Sequence, residues 1–289
     1  MKSSSARPLT LMAAKIRLSA VEVGEQDSPT VVLVAGWPQT RHAWRLMLPT
    51  LAEAGFRAIA IDPPGLGDSD ILPQGVHADT GTVADIMSAA LANYGVRKFT
   101  LVGHDVGSWI SYAWATRRPV GIERLCLTEA AIPGVAPAAA FAIQNAPRVF
   151  QFFFCATPDL PELLTEGRER IFFKHLFDTK TLVREAISDS DLSHYVESYA
   201  RPGRMAAGFA YYRAAIESAR QNSAAAPPGM PVLAIGGEGS LGSAIHRALE
   251  AAKTPDLQGA VFAGVGHYLP EEAPQEFVDH IVRFAKVRT

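Results

Sequence analysis

Short apolar runs, each cut off by a turn, punctuate the chain. Residues 30–35 form a continuous aliphatic run that Gly36, Trp37 and Pro38 break. Residues 57–61 repeat the pattern and stop at Asp62, Pro63, Pro64 and Gly65. Further runs at 99–102, 125–128, 231–235 and 259–262 lead into Gly103, Glu129, Gly236 and the Gly264–Gly266 turn. A run that is apolar throughout, rather than alternating, predicts a strand buried on both faces, as in a parallel sheet. Between the runs the apolar spacing changes to three and four. Residues 83–91 carry such a stripe, with Gly95 as its stop, and Phe277, Ile281, Val282 and Phe284 line one side of a final helix. Strands alternating with helices predict an α/β fold with a mostly parallel central sheet flanked by helices.

One stretch breaks the alternation. Residues 134–228 contain no buried strand pattern and are instead rich in aromatics at helical spacing, from Phe150 through Phe172, Phe173 and Phe177 to Tyr195, Tyr199, Tyr211 and Tyr212. Pro- and Ala-rich segments flank it. The pattern predicts a helical cap, 134–228, inserted between two strands of a core formed by 1–133 and 229–289. Most of its aromatics are expected to pack within the cap, and the rest predict an apolar pocket.

Composition narrows the class. The 289 residues are 48% hydrophobic and 19% charged, enough for a large core. A net charge of −2 makes neither nucleic acid nor an acidic membrane surface an indicated partner. No apolar run approaches a membrane span, and the polar start Met1–Ser5 lacks the apolar core of a signal peptide, so a cytoplasmic location is expected. The two cysteines, Cys126 and Cys155, sit among apolar neighbours and are expected to pack as small hydrophobes. No dinucleotide fingerprint, phosphate loop or metal-ligand cluster appears, so no cofactor is implied. The oligomeric state stays open, a homodimer included.

The chemistry concentrates at Gly103-His104-Asp105-Val106-Gly107. A predicted strand runs into this turn, and a predicted helix, 108–116, leaves it. Glycines around a central residue suit a sharp strand–turn–helix elbow, which leaves little room for side chains and projects the central one above the strand ends. The helix N-terminus aims N–H groups at developing negative charge. The competing reading is an Asp that merely caps the helix. As a nucleophile, Asp105 is anionic at neutral pH and needs no base to attack. It suits displacement at a saturated carbon, giving an ester that water must then hydrolyse.

That second step needs a base. His267, after the last predicted strand and among Gly264, Gly266 and Pro270, is the candidate, whereas His104 is expected to point into the fold. A histidine base needs a carboxylate on its other nitrogen. Glu129 and Glu238 each end a predicted strand, and the more apolar setting of Glu129 favours it. The backbone N–H groups of Val106 and Trp37 are the expected oxyanion donors.

These segments, with Gly65-Leu66-Gly67-Asp68-Ser69 and the cap stretches Ser198–Pro202 and Phe209–Ala214, resemble the epoxide hydrolase and dehalogenase branch of the α/β-hydrolase-fold family, from Val31 to Phe284. The resemblance implies the α/β-hydrolase fold, with Asp105 as nucleophile, His267 as water-activating base and Glu129 as its acid. It further implies that a cap tyrosine, Tyr212, stabilises the alkoxide of an opened epoxide, with Tyr211 packing. Two positions depart from the pattern. Ala35 stands where relatives have His, and the region of a second ring-opening donor, Tyr or His in relatives, holds Phe150 and Gln151, of which only Gln151 can donate.

The expected activity is therefore hydrolysis of a small apolar epoxide to a vicinal diol. A dehalogenase with the same Asp-His-Glu set is the alternative. Val106, where haloalkane dehalogenases carry Trp, and the lack of arginine in the elbow weigh against it. A third reading is a ligand-binding protein that keeps the fold without turnover.

Overall fold

The computed structural model describes residues 5–118 and 120–286; Met1 to Ser4, most of the polar start, lie outside them. Eight strands form one sheet among the described residues. They are β1 (Arg7–Ala13), β2 (Ile16–Val23), β3 (Thr30–Val34), β4 (Arg57–Ile61), β5 (Phe99–His104), β6 (Ile122–Thr128), β7 (Val232–Gly237) and β8 (Leu257–Phe262). Their order is β1-β2-β4-β3-β5-β6-β7-β8. Strand β2 is antiparallel to β1 and β4, and every pairing from β4 to β8 is parallel. Helices α1 (Met47–Glu53), α2 (Thr80–Tyr94) and α3 (Val106–Arg117) link the first strands. Between β6 and β7 the regular elements are all helical: α4 (Ala146–Ala156), α5 (Leu160–Thr165), α6 (Glu169–Lys180), α7 (Asp189–Tyr199), α8 (Arg204–Arg213) and α9 (Ala215–Ala224), with two short 3₁₀ turns before them. Helix α10 (Ala244–Ala251) joins β7 to β8, and α11 (Leu269–Glu272) and α12 (Pro274–Lys286) close the chain.

The continuous apolar runs are buried on both faces because alternate side chains feed different cores. Val32, Val34, Ile59, Ile61 and Leu101 pack against Val83, Met87 and Leu91 of α2 and Trp109 of α3. Val31, Leu33, Ala58, Ala60 and Val102 pack against Met47 and Leu51 of α1 and Phe277, Ile281 and Phe284 of α12. Helix α2 begins where the Asp79 side chain accepts from Thr82 N–H at 2.9 Å and ends at Gly95, which takes φ +92°.

Three elements differ from what the pattern predicts. The hairpin β1–β2 is absent from the apolar runs because it is half covered: Leu11, Ala13, Leu18 and Ala20 are buried while Met12 faces out, which is an alternating pattern. Strand β8 is not a buried strand. It pairs with β7 alone as the sheet edge, and Val261 is exposed. Helix α3 spans Val106–Arg117, starting two residues before the expected 108, and its residues 106–115 are all buried.

The helical segment between β6 and β7 is fastened across the carboxyl ends of the strands by polar contacts. Tyr195 Oη donates to Glu271 at 3.0 Å, Tyr199 Oη to the Gln39 carbonyl at 2.9 Å, and Tyr211 Oη to the Pro64 carbonyl at 2.7 Å. Arg201 donates to the Gly67 carbonyl at 2.6 Å, and His42 Nε2 lies 2.8 Å from Asp191. Among the described residues no helix is long and apolar enough to cross a membrane.

The elbow is where packing is least forgiving. A Cβ on Gly107 would lie 2.0 Å from the Val34 carbonyl oxygen, whereas one on Gly229 meets nothing within 4 Å. Gly107→Ala is expected to destabilise the fold by about 2–4 kcal/mol, and Gly229→Ala to stay within about 0.5 kcal/mol, in urea unfolding.

Candidate active site

Asp105 sits between the end of β5 and the start of α3 with φ +53° and ψ −125°, a conformation that side-chain-bearing residues rarely adopt. The surrounding positions show why they are glycine. A Cβ on Gly103 would meet the Gly107 carbonyl at 2.5 Å, and one on Gly36 would meet Asp105 Oδ1 at 2.4 Å. The turn thus closes tightly enough for the Trp37 N–H to donate to Asp105 Oδ1 at 3.1 Å. Val106 opens the adjoining helix and is fully buried.

His267 arrives on the loop between β8 and α11. Its Nε2 lies 3.4 Å from Asp105 Oδ2, and its Nδ1 lies 2.9 Å from Glu129 Oε2. The other Glu129 oxygen accepts from Gly237 N–H at 2.7 Å and from Leu241 N–H at 3.3 Å, so this buried carboxylate is held from two sides. The Lys180 carbonyl accepts the His267 N–H at 2.9 Å, and His104 Nε2 lies 2.7 Å from the His267 carbonyl. Of the two candidate acids, Glu129 is therefore the one that meets His267. Glu238 is exposed and accepts the Gly264 N–H at 3.0 Å.

Electrostatics follow from this packing. Burial, the largest single effect, opposes the Asp105 charge, but the hydrogen bond to His267 and the surrounding positive charge together outweigh it and hold the carboxyl below its ordinary range. Burial likewise opposes an imidazolium at His267, and the hydrogen bonds to Asp105 and Glu129 outweigh it, so its pKa lies above the usual histidine value. His104, fully buried beside His267, is pushed down to about 4 and stays neutral.

Tyr212 reaches the site from α8. Its ring packs 5.6 Å from Trp37, 5.6 Å from Trp109 and 5.5 Å from Phe152. Burial and then the Asp105 charge raise its pKa well above the ordinary tyrosine value. Of the four tyrosines in the helical segment, three spend their hydroxyls on Glu271, Gln39 and Pro64. The Tyr212 hydroxyl has no hydrogen-bond partner among the described residues.

A cavity of about 250 Å³ opens beside Asp105 and His267, lined by Trp109, Phe152, Val149 and Leu241 among apolar groups and by Gln151, Arg148 and Lys180 among polar ones. Gln151 is buried. With its amide turned to satisfy both ends, its oxygen accepts from Lys180 Nζ at 2.7 Å and its nitrogen donates to the Arg148 carbonyl at 3.1 Å. Lys180 and Arg148 are the cavity groups that sequence reasoning missed. No local signal marks them, since a lysine ending a helix reads as a solvated charge favoured by the helix dipole.

A carboxylate in a strand-end elbow, a histidine on a late loop and an acid after the following strand form a site of the α/β-hydrolase kind. The profile of the α/β hydrolase fold family matches residues 29–274, and the chain belongs to that family. It is similar to the soluble epoxide hydrolase of Corynebacterium sp. (strain C12), at 30% identity over 260 residues covering 88% of this chain and 89% of that protein. Among solved structures, Cfl2 from Burkholderia cenocepacia superposes with a TM-score of 0.92 at 37% identity, covering 97% of this chain and 96% of the other. Epoxide hydrolase CorEH superposes with a TM-score of 0.88 at 28% identity, covering 97% and 98%. These likenesses make the chain an epoxide hydrolase-like member of the family.

The raised His267 pKa has a definite sign in stability. The imidazolium contributes fully below the unfolded value of about 6.5, and its contribution is lost as pH rises through the higher folded value. An NMR titration of the His267 ring is expected to show a midpoint above 6.5 in the ligand-free protein, moved downward by Glu129→Gln. The fall in melting temperature above that pH should shrink in the variant. A midpoint that does not respond to Glu129→Gln would remove Glu129 as its electrostatic partner.

Proposed function

We propose that the chain hydrolyses an epoxide to a vicinal diol through an ester of Asp105, and that segment 134–228 serves as the cap over the site. The observation that carries the reading is a carboxylate at the elbow, within reach of a histidine backed by its own acid, with the uncommitted hydroxyl of Tyr212 on a ring packed against Trp37 and Trp109. Asp105 attacks an epoxide carbon. The C–O bond of the ring breaks, and its electron pair becomes an alkoxide that takes a proton from Tyr212. His267 then removes a proton from water, which attacks the carbonyl carbon of the ester. The oxyanion of that step is received by the N–H groups of Trp37 and Val106. Collapse breaks the bond from the carbonyl carbon to the alkyl oxygen; the departing alkoxide takes the His267 proton to complete the diol, and the acid proton left on Asp105 passes through His267 to the Tyr212 phenolate, regenerating the carboxylate. Glu129 holds the imidazole so that Nε2 faces the water and supports the imidazolium.

Two features support this over acyl transfer. The nucleophile is ionised without a base, as its lowered pKa requires. Tyr212 also packs against Trp37 and against Trp109 of the cavity wall, and its raised pKa keeps it protonated for donation.

The test is to trap the ester. His267→Gln, which cannot activate water, is incubated with panels of epoxides and haloacids and read by intact mass and peptide mapping. A mass increase equal to the epoxide, mapped to Asp105, is expected. Adducts from halogenated acids alone would make the protein a dehalogenase, and no adduct from either panel would sink the covalent reading in favour of ligand binding. Separately, Tyr212→Phe should lower kcat/KM for epoxides by roughly 10²-fold or more, with the ester-hydrolysis step measured in single turnover changed far less.

A further inference from the structure

The cavity beside Asp105 carries more positive charge than an apolar substrate calls for. Lys180, the last residue of α6, and Arg148, near the start of α4, both line it. Lys180 is half-buried, and the partner its ammonium meets is neutral, the Gln151 amide oxygen at 2.7 Å. Arg148 is exposed at the rim, where its guanidinium meets only the Ser240 carbonyl at 3.5 Å. Neither has a carboxylate within ion-pair distance among the described residues.

The two carboxylates that face the same cavity are committed elsewhere. Glu129 accepts from His267, Gly237 and Leu241, and Asp105 accepts from Trp37 and faces His267. In the reaction proposed above Asp105 spends its charge on forming a neutral ester. A cation drawn out of water with no ion-pair partner is costly, and the cost is offset when an anion enters beside it. Lys180 lines the cavity wall with Asp105, and burial depresses its pKa while the Asp105 charge acts against that.

We propose that Lys180, backed by Arg148 at the rim, recognises a carboxylate on the substrate, so that the compounds turned over are epoxide-bearing acids. The proposal rests on the epoxide reading of the site for its reaction, but not for its binding. The carboxylate lies on the Lys180 and Gln151 wall, and the reacting carbon lies over Asp105. Trp109 and Phe152 cover the hydrocarbon between them. Gln151 acts as a positioning residue: its nitrogen is tied to the Arg148 carbonyl, and its oxygen holds Nζ at the cavity wall. A developing alkoxide already has Tyr212. The second cation at the rim favours an anion that is present when the substrate binds.

The test has two arms on the full chain. In the first, calorimetry compares hexanoate with hexan-1-ol on the wild type, Lys180→Met and Arg148→Met. Hexanoate is expected to bind the wild type at least tenfold more tightly than the alcohol, with the preference abolished by Lys180→Met and reduced by Arg148→Met. In the second, a terminal epoxy acid and its methyl ester are turned over side by side. The acid is expected to have the lower KM, and Lys180→Met should cut the acid-to-ester ratio of kcat/KM at least tenfold, with Lys180→Arg restoring most of it. Equal binding of acid and alcohol by the wild type would overturn the proposal. So would a Lys180→Met variant that lowers kcat for acid and ester alike, because Lys180 would then only offset the Asp105 charge. Lys180-dependent binding of hexanoate without turnover of any epoxide supports the recognition site and overturns the epoxide reading instead. Should Lys180→Met not fold, Lys180→Gln keeps a neutral polar head at the position and serves in both arms.

Discussion

Asp105 can hold a φ of +53° only because the chain around it has no side chains in the way, and the rest of the site is placed relative to that strained residue. Such a conformation costs about 1–3 kcal/mol and persists only where the surroundings over-determine it. Here they do. Gly36, Gly103 and Gly107 let three backbone segments close to within contact distances that a methyl group would abolish, and the Trp37 N–H then reaches Asp105 Oδ1. The sheet stores this strain because β3 and β5 are adjacent parallel strands whose fully buried side chains leave no room for relaxation.

From that point the electrostatics are a chain of paired charges. Two backbone N–H groups steady Glu129, Glu129 steadies His267, and His267 keeps Asp105 ionised despite burial. Each link offsets the desolvation of the next, and removing one would leave a buried charge without its partner. Lys180 joins the chain from the helical segment, and its backbone carbonyl also accepts the His267 N–H. The segment therefore adds a charge and a backbone contact to the site.

The helical segment divides its tyrosines by task. Tyr195, Tyr199 and Tyr211 fasten helices α7 and α8 to the loops at the strand ends. Tyr212, one residue beyond Tyr211, turns to another face of α8 and packs against Trp37 and Trp109 with its hydroxyl free. The anchor at Glu271 is itself buried, and burial raises its carboxyl to about 7 against the opposing charge of Arg45. The same polar contacts that hold the segment in place thus fix where Tyr212 stands.

The central strands and the elbow were legible in the sequence because their signals are local. An apolar run buried on both faces looks the same in the chain as in the fold, and a turn between Gly103 and Gly107 needs its glycines whatever surrounds it. The half-covered hairpin β1–β2 and the edge strand β8 were not legible as such, since exposure depends on which neighbours a strand acquires. At the site, sequence alone singled out Asp105 and His267 by turn chemistry and chain order, but left Glu129 and Glu238 both open, because each ends a parallel strand. The tertiary structure decided between them: Glu129 follows β6, next to the elbow strand β5, and its carboxylate meets the imidazole, while Glu238 turns to Gly264. It alone also brought Lys180 and Arg148 to the cavity, since two cations on separate helices acquire a common neighbour only when those helices pack. What began as a carboxylate in a glycine-flanked turn is, in three dimensions, the centre of a charged pocket.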